Sequence, residues 1–293
     1  MLEKILFATD LSAYAGAVLD CLAGLRSAGV QQVVLLHVVD QALSYVEGAA
    51  GFDVIGQLKL DAQRALEREK GRLEGQGFRV SARIEVGVPA QEIVRVAEEE
   101  DVSLIVVGAY GRTLLQEMLL GSVAEGVLRL ARRPVMVERP RVLAGLGRVE
   151  CQRRGARTFA RVLFPTDFSP FAELSLRFVV GLRDAGVEEV IVLHVLEEPM
   201  LRGRSLREAE QLAQDARASL DEVVAKLKGE GLPARGRLER GRPIERILEV
   251  AEEEDVGSIV MGARRRGMVV RRSLRPVVIV PGRRKEPWRR YSR

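Results

Sequence analysis

The chain contains 293 residues, of which 47% are hydrophobic and 30% charged, with a formal net charge of +5 and two cysteines. This composition is typical of a soluble globular protein and leaves room for two ordinary domains, each with its own core. Two cysteines exclude a small scaffold held together by disulfides. A transmembrane helix is also excluded, because no apolar run approaches the roughly 20 residues that span a bilayer.

The first half of the chain alternates short apolar runs with longer helical stretches. The runs are rich in Val and Ile, and apolar and polar residues do not alternate regularly along them, which favours strands buried on both faces. The runs lie at 4–9, 33–39, 80–86, 103–107 and 135–138. The helical stretches span 12–28, 57–75, 89–101 and 121–132, with Ser12 placed to cap the first and Pro89 in the first turn of the third.

The same units occur a second time in the same order, which indicates a tandem duplication. KILFATDLS at 4 recurs as RVLFPTDFS at 161, and VVLLHVVD at 33 recurs as VIVLHVLE at 190. The strands of the second copy are predicted at 161–165, 190–196, 234–239, 258–261 and 277–280. We therefore predict an α/β protein with two tandem, doubly wound, five-stranded parallel sheets, for which we take the strand order 3-2-1-4-5. The predicted domains are 1–140 and 159–282, joined by a linker at 141–158 and followed by a basic tail at 283–293.

Two features bear on location and partners. The chain opens directly in a strand, and Cys21 and Cys151 form neither a disulfide framework nor a metal-ligand spacing, so we expect no secretory signal and a reducing cytoplasm. The arginines at 264–266 and in the tail fit either a nucleic-acid patch or a solvated, partly disordered segment. We favour the solvated segment, because charge alone does not identify a helix or strand that enters a nucleic-acid groove.

Two loops carry the candidate site. Ligands of doubly wound sheets bind at the carboxyl ends of the strands where the winding order reverses, here between strands one and four. The loops at that point are ATDLS (8–12) and the start of GAYGRTLLQEMLLGS (108–122).

The glycines of the second loop predict a phosphate site. Gly108 ends a strand, Gly111 allows a turn with exposed amides, and Gly121 and Ser122 open a helix whose first N–H groups lack partners. The alternative is a set of strand-ending glycines with an ordinary Ser cap. We favour phosphate because three glycines and a serine coincide with the point where the winding reverses.

Other polar residues at strand ends have two interpretations each. Asp10 can accept hydrogen bonds from ribose hydroxyls or a base edge, or form an Asx turn before the next helix, and both roles can hold together. His37 and His194 are either catalytic or packed; we favour packed, since no Ser or Cys lies in a nucleophile motif. Val38 would present backbone groups to an adenine edge.

The spacing G-x2-G-x9-G-S at 108–122, the TD after strand one and the LLHV of strand two resemble the ATP-binding branch of the universal stress protein family. The resemblance implies a Rossmann-like, α-hydrolase-type fold and ATP as the ligand, with Mg²⁺ held by the phosphates rather than by a protein cage. It places adenine and ribose near Ala8, Thr9, Asp10 and Val38. It places the phosphates near Val107, Gly108, Gly111, Gly121, Ser122 and Val123.

The second copy departs from this pattern. It keeps Thr166, Asp167, His194 and Gly262, but Arg265 replaces the second glycine and no Gly-Ser follows. The segment from the strand-four glycine to the strand-five proline is also twelve residues shorter than in the first copy. We therefore predict that the second site, and most of its fourth helix, are lost. The nearby arginines could hold an anion; we favour solvated surface residues, which lack fixed backbone donors.

These expectations combine into a cytoplasmic, nucleotide-responsive stress regulator that binds ATP in its first domain. The second domain would act as a pairing partner through the fifth strands, PVMVE and PVVIV, and the whole chain could form a homodimer. Two alternatives remain open. One is ATP hydrolysis or phosphate transfer. Turnover should be slow in that case, because the sequence contains no P-loop motif and no evident Lys or Arg finger in 108–122. The other is an interaction scaffold without nucleotide, whose basic tail meets an acidic partner.

Overall fold

The computed structural model describes residues 2–42, 54–110, 120–139, 158–198, 205–263 and 266–282. They belong to two compact units, one within Met1–Ala156 and one formed by Arg157–Gly282. The predicted tail, and the predicted linker apart from Thr158, lie outside the described residues. Among the helices in these ranges, none is both long enough and apolar enough to cross a membrane.

The first unit contains five strands and four α-helices within its described residues. In chain order they are β1 (Lys4–Ala8), α1 (Ala13–Cys21), β2 (Gln32–Asp40), α2 (Val54–Gly75), β3 (Arg79–Gly87), α3 (Pro89–Glu99), β4 (Leu104–Gly108), α4 (Ser122–Leu130) and β5 (Val135–Glu138). The strands pair in parallel in the order β3-β2-β1-β4-β5, which confirms the predicted topology.

The second unit repeats this architecture. Its elements are β6 (Arg161–Pro165), α5 (Pro170–Val180), β7 (Glu189–Glu197), α6 (Leu206–Gly229), β8 (Ala234–Gly241), α7 (Pro243–Glu253), β9 (Ser258–Gly262), α8 (Arg266–Arg272) and β10 (Val277–Val280). The parallel order is β8-β7-β6-β9-β10. The expectation that most of the fourth helix is lost is wrong, because α8 has 7 residues against 9 in α4. Most of the missing residues come from the preceding loop.

The central strands are buried on both faces, as their uninterrupted apolar runs predict. The side chains of β1 and β4 from Ile5 to Phe7 and from Leu104 to Val107 are at most 3% exposed. The edge strand β3 instead carries charge: Arg83 pairs with Glu85 on its own strand and with Glu99 and Glu100 at the C-terminal end of α3. Such charges discourage pairing of an open edge with another chain.

Helix ends follow the predicted chemistry with one difference. Ser12 caps α1 by accepting from the Ala15 amide, and Pro89 begins α3. The helix predicted at 12–28 ends at Cys21, however, and continues as a 3₁₀ turn over Leu22–Leu25. Cys21 is disulfide-bonded, whereas the sequence predicted no disulfide framework. The other cysteine, Cys151, lies outside the described residues.

Candidate functional site

A cavity of about 320 Å³ lies in the first unit where β1 and β4 end. Every site residue predicted from the sequence lines it, except Gly111, which lies outside the described residues. The lining residues are Ala8, Thr9, Asp10, Ala15, Leu36, Val38, Pro89, Ile93, Val107, Gly108, Tyr110, Gly121, Ser122, Val123 and Ala124. Residues that are more than 100 positions apart in the chain therefore meet at the predicted reversal of the winding order.

The loop after β1 fixes the orientation of Asp10. The Ser12 amide donates to Asp10 Oδ1 at 3.0 Å, and the Leu11 amide donates to Thr9 Oγ1 at 3.0 Å. Leu11 adopts a left-handed backbone with φ of 61°, which is uncommon for a non-glycine residue and shows how tightly this turn is determined. Asp10 thus forms the predicted Asx turn, and a carboxylate in such a turn keeps acceptor capacity for ligand hydroxyls.

His37 ties the end of β2 to this loop. Its ring is 8% exposed, and Nδ1 lies 2.9 Å from the Thr9 carbonyl oxygen. A carbonyl can only accept, so Nδ1 carries the proton and donates. In the second unit His194 makes the same bond to the Thr166 carbonyl oxygen, at 2.8 Å. Both histidines therefore have the packed role favoured from the sequence.

The edge of β2 presents backbone groups to the cavity. The Thr9 amide donates to the Leu36 carbonyl oxygen at 2.9 Å, so the backbone groups of Leu36 face β1. Backbone direction alternates along a strand, so Val38 faces the same side, and β1 has already ended there at Ala8. Its N–H and C=O point toward the cavity, where a planar ligand edge could pair with them.

The phosphate side of the cavity is the N-terminus of α4. The first hydrogen bond within this helix runs from the Glu125 amide to the Gly121 carbonyl oxygen, at 2.9 Å. The amides of Ser122, Val123 and Ala124 therefore have no acceptor in the helix, and all three residues line the cavity. The helix dipole adds partial positive charge at this end.

Gly121 occupies the N-cap position of α4, so the interpretation of Ser122 as an ordinary cap is wrong. The Gly121 amide donates to the Ala109 carbonyl oxygen at 2.8 Å, which anchors the end of the loop to the end of β4. Farther along the helix, a Cβ on Gly126 would lie 2.6 Å from the Ala90 Cβ. This close contact between α3 and α4 sets the position of the exposed amides.

Sequence reasoning missed an aromatic cluster beside the cavity. Tyr110 lines the cavity and packs edge to face against Tyr14, with ring centroids 5.3 Å apart, and the Arg139 guanidinium lies 4.7 Å from the Tyr110 ring centre. Burial raises the pKa of Tyr14 above its usual range, so its hydroxyl stays protonated and donates to the Glu138 carbonyl oxygen at 3.5 Å. The position of Tyr110 between the first two glycines was the available signal.

Two buried carboxyl groups were also missed. Glu69 on α2 is 8% exposed and its Oε1 accepts from Thr9 Oγ1 at 3.4 Å; burial raises its pKa, and that hydrogen bond opposes the shift. Glu138 on β5 is 4% exposed, and burial raises its pKa to about 7. Nothing in their local sequence distinguishes them from the surface glutamates of the chain.

No group of three or more His, Cys, Asp or Glu side chains in the described ranges could hold a metal ion. At the α4 end of the cavity, the described donors are backbone amides and the Ser122 hydroxyl, which suit an anion. Mg²⁺ carried by the phosphates stays a prediction.

Comparisons with known proteins agree with this architecture. The model of the universal stress protein family matches residues 1–139 and again 158–279. A universal stress protein of Methanocaldococcus jannaschii is 36% identical over 153 residues, which cover 47% of this chain and 94% of that protein. One from Bacillus subtilis is 31% identical over 148 residues, covering 47% of this chain and all of that protein.

A solved structure extends the likeness to nearly the whole chain. The crystal structure of a universal stress protein from Archaeoglobus fulgidus covers 96% of this chain and 97% of its own, with a TM-score of 0.71 and 25% identity. The curated relatives above each match about half of this chain, as a duplicated protein requires. The chain therefore belongs to the universal stress protein family and contains two tandem copies of the family domain.

Proposed function

We propose that the first domain binds ATP in the cavity at the ends of β1 and β4, and that the chain acts as a nucleotide-responsive regulator. The observation that carries this proposal is the opening of the α4 N-terminus into the same cavity as Asp10 and the Val38 edge. One cavity thus presents amide donors at the α4 N-terminus, a carboxylate acceptor at Asp10 and backbone groups at the Val38 edge. Its volume of about 320 Å³ falls within the usual range of small-molecule sites.

Each part of ATP has a matching wall. The phosphate oxygens accept hydrogen bonds from the amides of Ser122, Val123 and Ala124 and from the Ser122 hydroxyl. The helix dipole favours the negative charge of the phosphates. The ribose hydroxyls donate to Asp10, and the adenine edge pairs with the backbone of Val38. Mg²⁺ would neutralise the bound phosphates, and it takes its ligands from their oxygens and from water.

Binding without efficient hydrolysis fits the side chains present. A general base must reach an attacking water. Of the described carboxyl groups beside the cavity, Asp10 is held in its turn and Glu69 lies behind Thr9 with a raised pKa. We therefore assign the chain a binding function and expect any ATP turnover to be slow.

Calorimetric titration of the whole chain with Mg²⁺ and ATP tests the proposal. We expect one ATP per chain, and Ser122→Ala should weaken binding about ten- to a hundredfold, the value of one hydrogen bond to a charged group. Ser205→Ala is the matched control, because it removes a helix cap in the second domain and so costs about 1 kcal/mol of stability. Equal affinity of the Ser122 variant and the wild type would remove the phosphate assignment.

A further inference from the structure

The strand ends of the first unit form a row along the candidate site. β2, β1, β4 and β5 lie side by side in this order. At or just after their carboxyl ends they carry, in the same order, Val38, Asp10, Gly108 and Arg139. Neighbouring strands lie about 4.8 Å apart, so the row extends about 14 Å from the first of these ends to the last.

The proposed mode of ATP binding follows this row. Adenine meets β2 and ribose meets the turn after β1, while Gly108 and the first amides of α4 line the part of the cavity that receives the phosphates. The phosphates are joined to the ribose in a line, so each further phosphate lies farther from β2 and β1 and closer to β5. The strand end nearest to the last phosphate is the one that carries Arg139.

Three hydrogen bonds hold the end of β5 next to the glycine loop. The Ala109 amide donates to the Glu138 carbonyl oxygen at 2.8 Å, and the Tyr14 hydroxyl donates to the same oxygen at 3.5 Å. The Ala109 carbonyl oxygen in turn accepts from the Gly121 amide at 2.8 Å. A single residue, Ala109, therefore links the end of β5 to the N-cap of α4, where the donors for phosphate begin.

Arg139 brings its guanidinium to the wall of the cavity. Its Cζ lies 4.7 Å from the centre of the Tyr110 ring, and Tyr110 lines the cavity. The Tyr110 ring packs in turn on Tyr14, whose ring lies 3.2 Å from the position that a Cβ on Gly108 would take. A guanidinium over an aromatic ring keeps its positive charge and the planar arrangement of N–H groups that binds phosphate in pairs.

The duplication provides a comparison within the chain. Counted from the proline before each fifth strand, Pro281 of the second unit corresponds to Arg139. Counted from the aspartate after each first strand, Phe171 corresponds to Tyr14. The second unit is also the one whose sequence lacks the Gly-Ser pair of the first. The arginine and the tyrosine hydroxyl therefore accompany the phosphate motif in one copy and are replaced in the copy without it.

We propose that Arg139 binds the terminal phosphate of ATP and makes the first domain selective for ATP over ADP and AMP. Its guanidinium donates two hydrogen bonds to that phosphate, and Tyr110 holds it beside the cavity. The inference rests on the proposed function, which assigns ATP to the cavity but does not assign the recognition of the last phosphate. A chain with this arginine responds to the ratio of ATP to ADP instead of to adenine nucleotides as a group.

The test is a calorimetric titration of the whole chain with ATP, ADP and AMP at one Mg²⁺ concentration. We expect ATP to bind about ten- to a hundredfold more tightly than ADP, the value of a hydrogen bond to a charged group. Arg139→Gln should reduce the affinity for ATP to that for ADP and leave the affinities for ADP and AMP unchanged. Arg139→Lys keeps the charge but loses the paired donors, so it should give an intermediate ratio.

A second arginine over an aromatic ring provides the matched control. The Arg26 Cζ lies 5.6 Å from the centre of the Phe78 ring, and neither residue is among the described residues that line the cavity. Arg26→Gln should therefore leave the affinities for all three nucleotides unchanged. Tyr110→Leu removes the ring below Arg139 and should lower the ratio of ATP to ADP affinity, whereas Tyr110→Phe should keep it. Each ratio is measured within one variant, so a partly unfolded preparation changes the number of sites and not the ratio.

Three results would overturn the inference. They are equal affinity of the wild type for ATP and ADP, an unchanged preference for ATP in Arg139→Gln, and an equal loss of ATP, ADP and AMP affinity in that variant, which would show a structural role. If the wild type binds no adenine nucleotide, the proposed function fails, and inorganic tripolyphosphate and pyrophosphate are titrated instead. Tighter binding of tripolyphosphate that depends on Arg139 then supports the inference, and equal or absent binding of the two overturns it.

Discussion

Gly126→Ala should weaken both the fold and ATP binding, although alanine is the better helix former. A Cβ at this position of α4 would lie 2.6 Å from the Ala90 Cβ on α3. Ordinary contact between carbon atoms needs about 3.5–4 Å, so the two helices must separate by about 1 Å. Ala90 Cβ is fixed to the backbone, so no side-chain rotation can relieve the contact.

The magnitude follows from two opposing terms. Replacing glycine with alanine inside a helix contributes about 1 kcal/mol of stability, whereas overpacking a tight contact costs about 1–3 kcal/mol. We expect a net loss of up to about 2 kcal/mol, with a lower melting temperature. A shift of about 1 Å at the α4 N-terminus should also disrupt one charge-assisted hydrogen bond to phosphate, or about ten- to a hundredfold in affinity.

Two variants serve as controls for this prediction. Gly71→Ala makes the same change on α2 with no atom within 4 Å of the new Cβ, so it should raise the melting temperature and leave ATP binding unchanged. The double variant Ala90→Gly, Gly126→Ala moves the methyl group from α3 to α4 and should restore ATP affinity. The measurements are thermal unfolding and calorimetric titration. If Gly126→Ala stabilises the chain as Gly71→Ala does and binds ATP normally, the contact does not position the site.

Three further predictions concern carboxyl groups. Asp10→Ala should reduce ATP affinity more than Asp167→Ala, because only Asp10 shares a cavity with the α4 amides; equal losses in calorimetry would contradict this. Glu138 has a folded pKa of about 7, raised from 4.5, so its stabilising contribution is present at low pH and is lost as pH rises through 7. Glu138→Gln should therefore flatten the urea-unfolding free energy between about pH 5 and 8, and an unchanged slope would refute it. Burial raises the pKa of Glu254, but hydrogen bonds from arginines including Arg237 outweigh burial and lower it. The stabilising contribution of Glu254 is therefore present above pH 4.5 and is lost as the pH falls through its pKa in the folded protein. Arg237→Ala should reduce the loss of stability on acidification, measured by unfolding at about pH 7 and 3, and an equal loss in both chains would contradict the assignment.

The position of the candidate site was predictable because it depends on local and topological rules. The apolar runs indicate buried parallel strands, and the strand order 3-2-1-4-5 then determines which loops meet. Asp10 follows β1, Val38 lies near the end of the neighbouring strand β2, and Gly121 and Ser122 begin a helix, so each could be placed without knowledge of side-chain packing. The ligand assigned to them still depends on the family resemblance and on the titrations above.

The residues that escaped prediction act through contacts between distant parts of the chain. Glu69 reaches Thr9 from a helix 60 positions away, and its sequence context is that of an exposed charged helix. Arg139 reaches Tyr110 from the end of β5. Periodicity indicates which face of a helix is buried, but it does not identify the single carboxylate that packs against another loop.

The length of one loop accounts for the different chemistry of the two domains. The loop between β4 and α4 gives the helix enough chain to direct its first amides into the cavity. With three residues after β9, α8 follows the strand almost at once, and the corresponding cavity of the second unit is lined by Val269 from the middle of the helix. The turn after β6, in which the Ser169 amide donates to Asp167 Oδ1, does not depend on this loop. The two cavities therefore have the same kind of turn at one end, whereas the helix that lines them contributes its first-turn residues in one unit and a mid-helix valine in the other.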